Sequence, residues 1–458
     1  LNLTTCVNNL HYEKFADGTV KCMEDEIPFE VPEGWAWCKL NDIYNFIDYR
    51  GATPTKITNG IPLVTAKNVK SGYIDYTIDD YISEEEFKER QQRGISKKGD
   101  ILFTTEAPLG NAALADMEKF SAGQRLITFQ QYGSKNELIN YVMLMFILSD
   151  FFQQQLYVNK TGSTVAGIKA AILKTLWIPV PPYNEQLRIS NTLKSAINLI
   201  DSISKNKEIL STSISNTKSK ILDLAIRGKI VPQDPNDEPA SVLLERIRAE
   251  KEELIKQGKI KRDKKESVIF KGDDNSYYGI HLPDSWNWAS LREIALSISD
   301  GSHNPPPNNG SGIPLLSAAN INDNSILMNE ISRWITNEEW KIENQRTNIE
   351  VGDVLLTIVG SIGRSAVVQN NNHFALQRSV AVIKPCLINP LYLMHIVQSP
   401  QIQKWLTDNS KGTAQKGIYL NALSLMIIPI PPLAEQARIV ELIHIAYKQL
   451  DLISNALL

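Results

Sequence analysis

With 458 residues, 43% apolar and 22% charged, the chain has the composition of a soluble globular protein and the length of roughly two to four domains. Its net charge of −3 argues against a nucleic-acid binder that is basic all over, so any basic surface is local or supplied by another subunit. Four cysteines without a Cys-x-x-Cys pair argue against a disulfide framework or a zinc site and fit a reduced cytosolic setting, and no apolar run reaches the ~18 residues of a membrane span.

Residues 1–31 are polar and irregular and read as a lead-in. The chain begins with Leu rather than Met, so trimming or a fragment is expected. Residues 32–182 alternate short apolar stretches, such as Ile61–Val64 and Asp100–Thr105, with turn signals at Thr53-Pro54, Asn59-Gly60 and Ser71-Gly72, which predicts short strands. Asn140–Leu156 is apolar and aromatic without turn residues and predicts a helix, so this body is mixed α and β. Pro181-Pro182 closes it, since proline continues neither a ladder nor a helix interior but tolerates a helix start.

A long helix is predicted over 183–229, with Gly228 as its stop. Ile189, Leu193, Ile200, Ile203, Leu210, Ile214, Ile221 and Leu224, with Ala196, Lys207 and Thr217 between them, recur in steps of four and three. That is a coiled-coil seam. At 1.5 Å per residue, ~44 residues make a rod of about 65 Å. Residues 230–282 hold a loop with an Asp/Pro helix start, a charged helix from about Ala240 to Gln257, and a basic linker, Lys259–Lys265. The linker reads as a solvated tether, with phosphate contact as the sharper alternative. A second body spans 283–432. A shorter helix over 433–458 repeats the seam with Ile439, Ile443, Ala446, Leu450 and Ile453.

The second body restates the first. Pro32–Leu40 returns as Pro283–Leu291, Gly60–Val64 as Gly312–Leu316, and Lys98–Leu102 as Val351–Leu355. Ile178–Pro182 returns as Ile428–Pro432, and Glu185-Gln186 as Glu435-Gln436. A spacing of ~250 residues is far longer than a solenoid repeat, so each copy is a whole domain. The expected fold is α/β (mixed α+β), with two similar globular domains joined by long antiparallel coiled-coil helices. Two similar surfaces suit a ligand with two parts.

Several stretches approach catalytic motifs and fall short. Asn304-Pro305-Pro306-Pro307 lacks the aromatic with which an amino-methyltransferase stacks on a flipped base, and no cofactor loop stands upstream. Gly162–Lys169 lacks the Gly-Lys-Ser/Thr ending of a phosphate loop, as does Gly412–Tyr419. The six histidines are scattered singly, without acidic neighbours at metal spacing. Glu185 and Glu435 begin helices, where a carboxylate complements the dipole. No catalytic residue and no metal ligand is nominated.

These residues, taken together, resemble the specificity subunits of type I restriction-modification enzymes. The resemblance rests on the two openings, Pro32–Leu40 and Pro283–Leu291, and on Ile-Pro-x-Pro-Pro-x-x-Glu-Gln at Ile178–Gln186 and Ile428–Gln436. It rests also on Gly228–Pro232, Asp237–Ala240 and Leu243–Ile247, which look like the family's conserved region. The family implies two target recognition domains on an antiparallel helical spacer, reading a bipartite asymmetric double-stranded DNA target in the cytoplasm of a bacterium or archaeon. It implies docking of two methyltransferase (modification) subunits and of restriction/translocase subunits. S-adenosylmethionine, ATP and Mg would belong to those partners, and this chain would hold no cofactor and meet no membrane. Full members often carry N-terminal helical segments and a complete last helix. Here neither is read, so a truncated chain or completion by dimerisation are both open. The rivals are a non-catalytic scaffold for two protein ligands, which the near-neutral charge suits, and a self-sufficient methyltransferase, which the missing cofactor loop argues against.

Positions shared between copies serve fold or phosphate contact. These include Gln92-Arg93 with Gln345-Arg346, Gln124-Arg125 with Gln377-Arg378, and Gly110 with Gly363. Lys169 and Lys416 lie in turns whose backbone amides suit phosphate. Unshared polar loop residues are the candidate base readers: Arg50, Thr53, Lys56, Lys67, Asn68 and Lys70 in the first copy, and Ser302, His303, Asn304, Asn320, Arg333 and Arg364 in the second. Arg and Lys suit guanine and Asn suits adenine in the major groove. The DNA-contact candidates therefore also include Arg93, Arg125, Arg346 and Arg378.

Overall fold

The computed structural model describes residues 4–5, 11–23, 26–49, 53–77, 80–132, 138–162, 166–262, 269, 276–412 and 416–457. It divides into two compact units, Leu1–Ile203 and Ser204–Leu458.

Each unit is built on the same four-stranded antiparallel sheet. In the first the order is Tyr44–Asp48, Leu126–Gln131, Ile101–Thr105, Leu109–Leu114. In the second it is Ala295–Asp300, Val380–Pro385, Val354–Thr357, Ser365–Val367. The central strands are buried along their length, as Ile101–Thr105 and Val354–Thr357 show, because both faces are covered. A three-stranded sheet packs beside each: Ile61–Val64 pairs parallel with Ser121–Ala122 and antiparallel with Tyr81–Ile82, and Ile313–Leu316 does the same with Ala375–Leu376 and Trp334–Ile335. The predicted helix over Asn140–Leu156 is two helices, Asn140–Ile147 and Asp150–Val158; Ser149 caps the second by accepting from Phe152 N.

The repeated motifs at the two ends of each body form one ladder. Ala36–Lys39 pairs antiparallel with Trp177–Val180, placing Pro179 opposite Trp37, and Asn287–Ser290 pairs with Ile427–Ile430, placing Pro429 opposite Trp288. The following glutamine closes the joint in both copies. Gln186 Nε2 donates to Pro181 O, and its Oε1 accepts from Ile139 N at 2.8 Å. Gln436 Nε2 donates to Pro431 O, and its Oε1 accepts from Asn389 N at 2.9 Å. Buried amides satisfied at both ends explain why Gln recurs here. Gly110 and Gly363 recur because each has positive φ, +93° and +100°, and a Cβ would strike Gln153 or Gln403.

The neighbouring glutamates diverge. Glu435 is fully buried, accepting from Trp286 Nε1 at 2.9 Å and from Gln233 Nε2 at 2.5 Å. Burial pushes its carboxyl above the usual range, and these two donors pull it back. Its twin Glu185 is partly exposed, and Trp35 Nε1, the twin of Trp286 Nε1, is buried without a partner among the described residues. Helix Ala240–Lys256 accounts for part of the difference: Leu243, Leu244 and Ile247 share a core with Trp286, Ile294 and Ile439. Glu435→Ala strands the buried Trp286 Nε1 and removes the bond from Gln233, and is expected to lower unfolding stability by about 2 kcal/mol. Glu185→Ala is expected to change it by no more than about 0.5 kcal/mol. Denaturant midpoints of the two variants check the contrast.

The long helix is Tyr183–Ile226 and the last one Leu433–Asn455. Gly228, at φ +64°, stops the former, with Lys229 N donating to Leu224 O. Within the second unit the two run antiparallel. Leu222 and Ile226 share a core with Ile439 and Ile443, while Lys218 pairs with Asp451 at 2.5 Å and Tyr447 Oη donates to Lys218 O. Ile214 is buried there, and Ile221, Leu224 and Leu450 are half-buried. Ile189 packs against the core of the first unit, and Leu193 is half-buried. Ile200, Ile203, Leu210 and Ile453 are exposed in this chain.

Candidate DNA-recognition site

Each large sheet ends its first strand on an aspartate, Asp48 or Asp300, and an arginine reaches back to it from the helical segment that precedes the third strand of the sheet order. Arg93 Nη1 donates to Asp48 O at 3.5 Å. Arg346 Nε donates to Asp300 O at 2.9 Å, and its Nη2 pairs with the Asp300 carboxylate. The Gln92-Arg93 and Gln345-Arg346 motifs therefore place their arginines alike, which both fixes the guanidinium and leaves half of its surface open.

The second shared motif is a coincidence of letters. Gly123 N donates to Val64 O where Gln377 N donates to Leu316 O, and Leu126 pairs with Thr104 where Val380 pairs with Thr357. The backbone register thus matches Gln124 with Arg378 and Arg125 with Ser379. The expected equivalence of Arg125 and Arg378 is corrected by one residue. Gln124 Nε2 donates to Thr53 Oγ1, and Arg125 pairs with Glu106 at 3.0 Å. In the second copy Ser379 Oγ accepts from Ala318 N, and Arg378 is exposed.

Around Arg346 and Arg378 the second unit has an open crevice of about 510 Å³, lined also by Asp300, His303, Lys411, Tyr419 and Asn421. His303 Nε2 lies 2.8 Å from Asp300 Oδ2. Two guanidiniums, one lysine and one carboxylate line the crevice, which suits anions or acceptor-rich edges such as guanine. The first unit substitutes Thr161 for Lys411 and Glu106 for Val359, since Glu106 and Val359 form equivalent bridges to Gly167 and Gly417. Lys411, Glu106, Asp48 and Asp300 were not nominated from the sequence. Matching offsets of the two aspartates were the available signal.

The remaining candidates scatter. Asn68 and Asn320, expected as unshared readers, are twins, each 3% exposed. Asn68 Oδ1 accepts from Thr65 N and Oγ1 while Nδ2 donates to Asp75 O; Asn320 does the same with Ser317 and Glu330 O. Their amides are spent on a turn, the fold role rather than the reading role expected of them. Ser302 is buried too, donating to Glu343 at 3.1 Å. Lys56 pairs with Asp80 at 2.6 Å, and Arg333 donates to Pro306 O at 2.7 Å. Thr53, Lys67, Lys169, Asn304, Arg364 and Lys416 are exposed, and Lys70 is partly so. Lys169 immediately precedes the short helix Ala170–Leu173, and Lys416 borders residues outside the described set. Arg50 lies outside the described residues.

Among the described residues no group of three His, Cys, Asp or Glu is placed to hold a metal, and no helix is long and apolar enough to cross a membrane. His395 is buried, which pushes its pKa down to about 4, and His373 stacks on Trp340.

Comparison with known proteins places the family and the fold. The family model described as "Type I restriction modification DNA specificity domain" matches twice, over residues 32–211 and 283–457. The chain is 23% identical over 434 residues to the type I restriction enzyme EcoBI specificity subunit of Escherichia coli, covering 93% of this chain and 82% of that protein. Against the EcoEI specificity subunit of E. coli the identity is 26% over 510 residues, with 96% and 82% covered. The MjaVIII specificity subunit of Methanocaldococcus jannaschii is 27% identical over 209 residues, covering 44% of this chain and 47% of that one. Among solved structures, a chain from the work on complex assembly and conformational transition of the type I R-M system superposes with a TM-score of 0.59 at 18% identity, 94% of each chain covered. The HsdS subunit from Thermoanaerobacter tengcongensis gives 0.52 at 18%, with 94% and 93% covered, and both show the shared fold. With two matched domains on a repeated α/β frame and a long helix between them, the chain belongs to the type I restriction-modification DNA specificity family, whose members are the non-catalytic DNA-recognition subunits of those systems.

Proposed function

We propose that each repeat domain reads one half of a bipartite, asymmetric double-stranded DNA target, and that the long helices set the gap and dock two methyltransferase subunits, which restriction/translocase subunits join. S-adenosylmethionine, ATP and Mg would act on those partners, in the cytoplasm. One observation carries the reading: a common Asp–Arg frame bears different chemistry in the two copies, Glu106 and Arg125 against Val359 and Ser379, and Thr161 against Lys411. A shared frame suits the phosphate backbone, which is the same in every sequence, and unlike side chains suit unlike bases. Unlike copies favour an asymmetric target over a palindrome. The near-neutral charge makes tight binding by this chain alone unexpected, because phosphate neutralisation dominates affinity. A mobility-shift assay with genomic fragments is expected to give sequence-selective binding when the cognate methyltransferase subunit is added. Finding no methyltransferase-dependent sequence preference under any condition would sink this reading.

A further inference from the structure

We propose that Glu106 is a specificity-determining residue of the first domain, accepting a hydrogen bond from the exocyclic amino group of a cytosine or adenine, with Arg125 as its positioning residue. This rests on the DNA-reading function proposed above.

Glu106 follows the buried strand Ile101–Thr105 and lies beside Gly167 in an isolated antiparallel bridge. Its side chain is 42% exposed, and Arg125, 56% exposed, holds its Oε1 at 3.0 Å. Gly167 bears no side chain; a Cβ there would come within 3.6 Å of Glu106 Oε2. The ion pair with Arg125 is made through Oε1, and Gly167 places no side chain beside Oε2. The second copy also has a glycine at this place, Gly417 bridged to Val359. The frame is therefore preserved while the side chain it displays is changed. The second copy has neither member of the pair, since Val359 stands where Glu106 stands and Ser379 where Arg125 stands.

The chemistry selects the ligand. A carboxylate repels phosphate, so on a DNA-reading face the oxygen that Arg125 does not hold suits a donor on a base. In the major groove the base donors are the amino groups of cytosine and adenine. Arg125 neutralises the long-range repulsion and fixes the carboxylate rotamer, leaving one oxygen for the base. Val359 at the equivalent place offers only a methyl surface, which fits a thymine methyl and rejects nothing by hydrogen bonding.

The test uses the complex with its cognate methyltransferase subunits. Methylation rates are measured on duplexes carrying the wild-type target and every single substitution in its first half. Wild type is expected to require cytosine or adenine at one position there. Glu106→Val is expected to lose that preference by roughly tenfold, with the second half unchanged, whereas Glu106→Gln, the isosteric variant that keeps an acceptor oxygen, is expected to retain part of it. Arg125→Ser is expected to weaken discrimination at the same position and no other. If Glu106→Val keeps every preference, or slows all sequences uniformly as a phosphate or steering effect would, the assignment is overturned while the domain's reading role stands. A wild-type complex without half-site preferences would overturn both.

Discussion

Replacing residues 44–160 by the matching segment of another family member is expected to change the letters of one half of the DNA target and leave the other half as it was. The exchanged segment contains the large sheet, the Arg93 frame and the Glu106–Arg125 pair. It leaves in place the ladder of Ala36–Lys39 with Trp177–Val180 and the Gln186 bond to Pro181, which carry the start of the long helix. It leaves the whole second unit, Ser204–Leu458, intact. Each mismatched base pair costs about 1–3 kcal/mol, so the chimaera should methylate the old target roughly a hundredfold or more slowly. Methylation mapping of the product checks this. A change in both halves would mean that the domains do not read separately.

Inserting seven residues into the long helix between Ile203 and Leu210 is expected to change the gap between the half-sites and neither half. The site is chosen because Leu199, Ile200 and Ile203 are 61%, 60% and 58% exposed, whereas the pairing with the last helix involves Lys218, Leu222 and Ile226. Seven residues lengthen a helix by about 10.5 Å and rotate its end by only ~20°. At 3.4 Å per base pair the gap should grow by about three pairs. A four-residue insertion rotates the end by ~40° and disturbs the phase of the apolar seam, so it should cost more activity for less added length. Altered half-site letters after the seven-residue insertion would end the spacer account.

Much of this was legible because duplication supplies its own alignment. The paired motifs gave the domain spacing, and the long helix, with Gly228 at its end, followed from its apolar phase and its stop signal. The fold class was legible for the same reason: alternating apolar stretches and turn residues recur in both copies. The site was less so. Side-chain letters do not report backbone register, so Gln124-Arg125 and Gln377-Arg378 look equivalent until the ladder shows them displaced by one. Asn68 and Asn320 failed in the opposite way: their neighbours diverged, and two twins holding the same turn looked like unshared readers. Glu435 is a third case. Its burial comes from Trp286, Gln233 and the helix Ala240–Lys256, contacts across up to ~200 residues that no local pattern encodes.

The central claim is that one scaffold, present twice, displays two different reading surfaces. Single-molecule methylation mapping of DNA treated with the complex of this chain and its cognate methyltransferase subunits tests it most directly. The account predicts a bipartite motif with a fixed gap and two unlike halves, each carrying a modification. A palindromic motif, or methylation without a fixed gap, would contradict it.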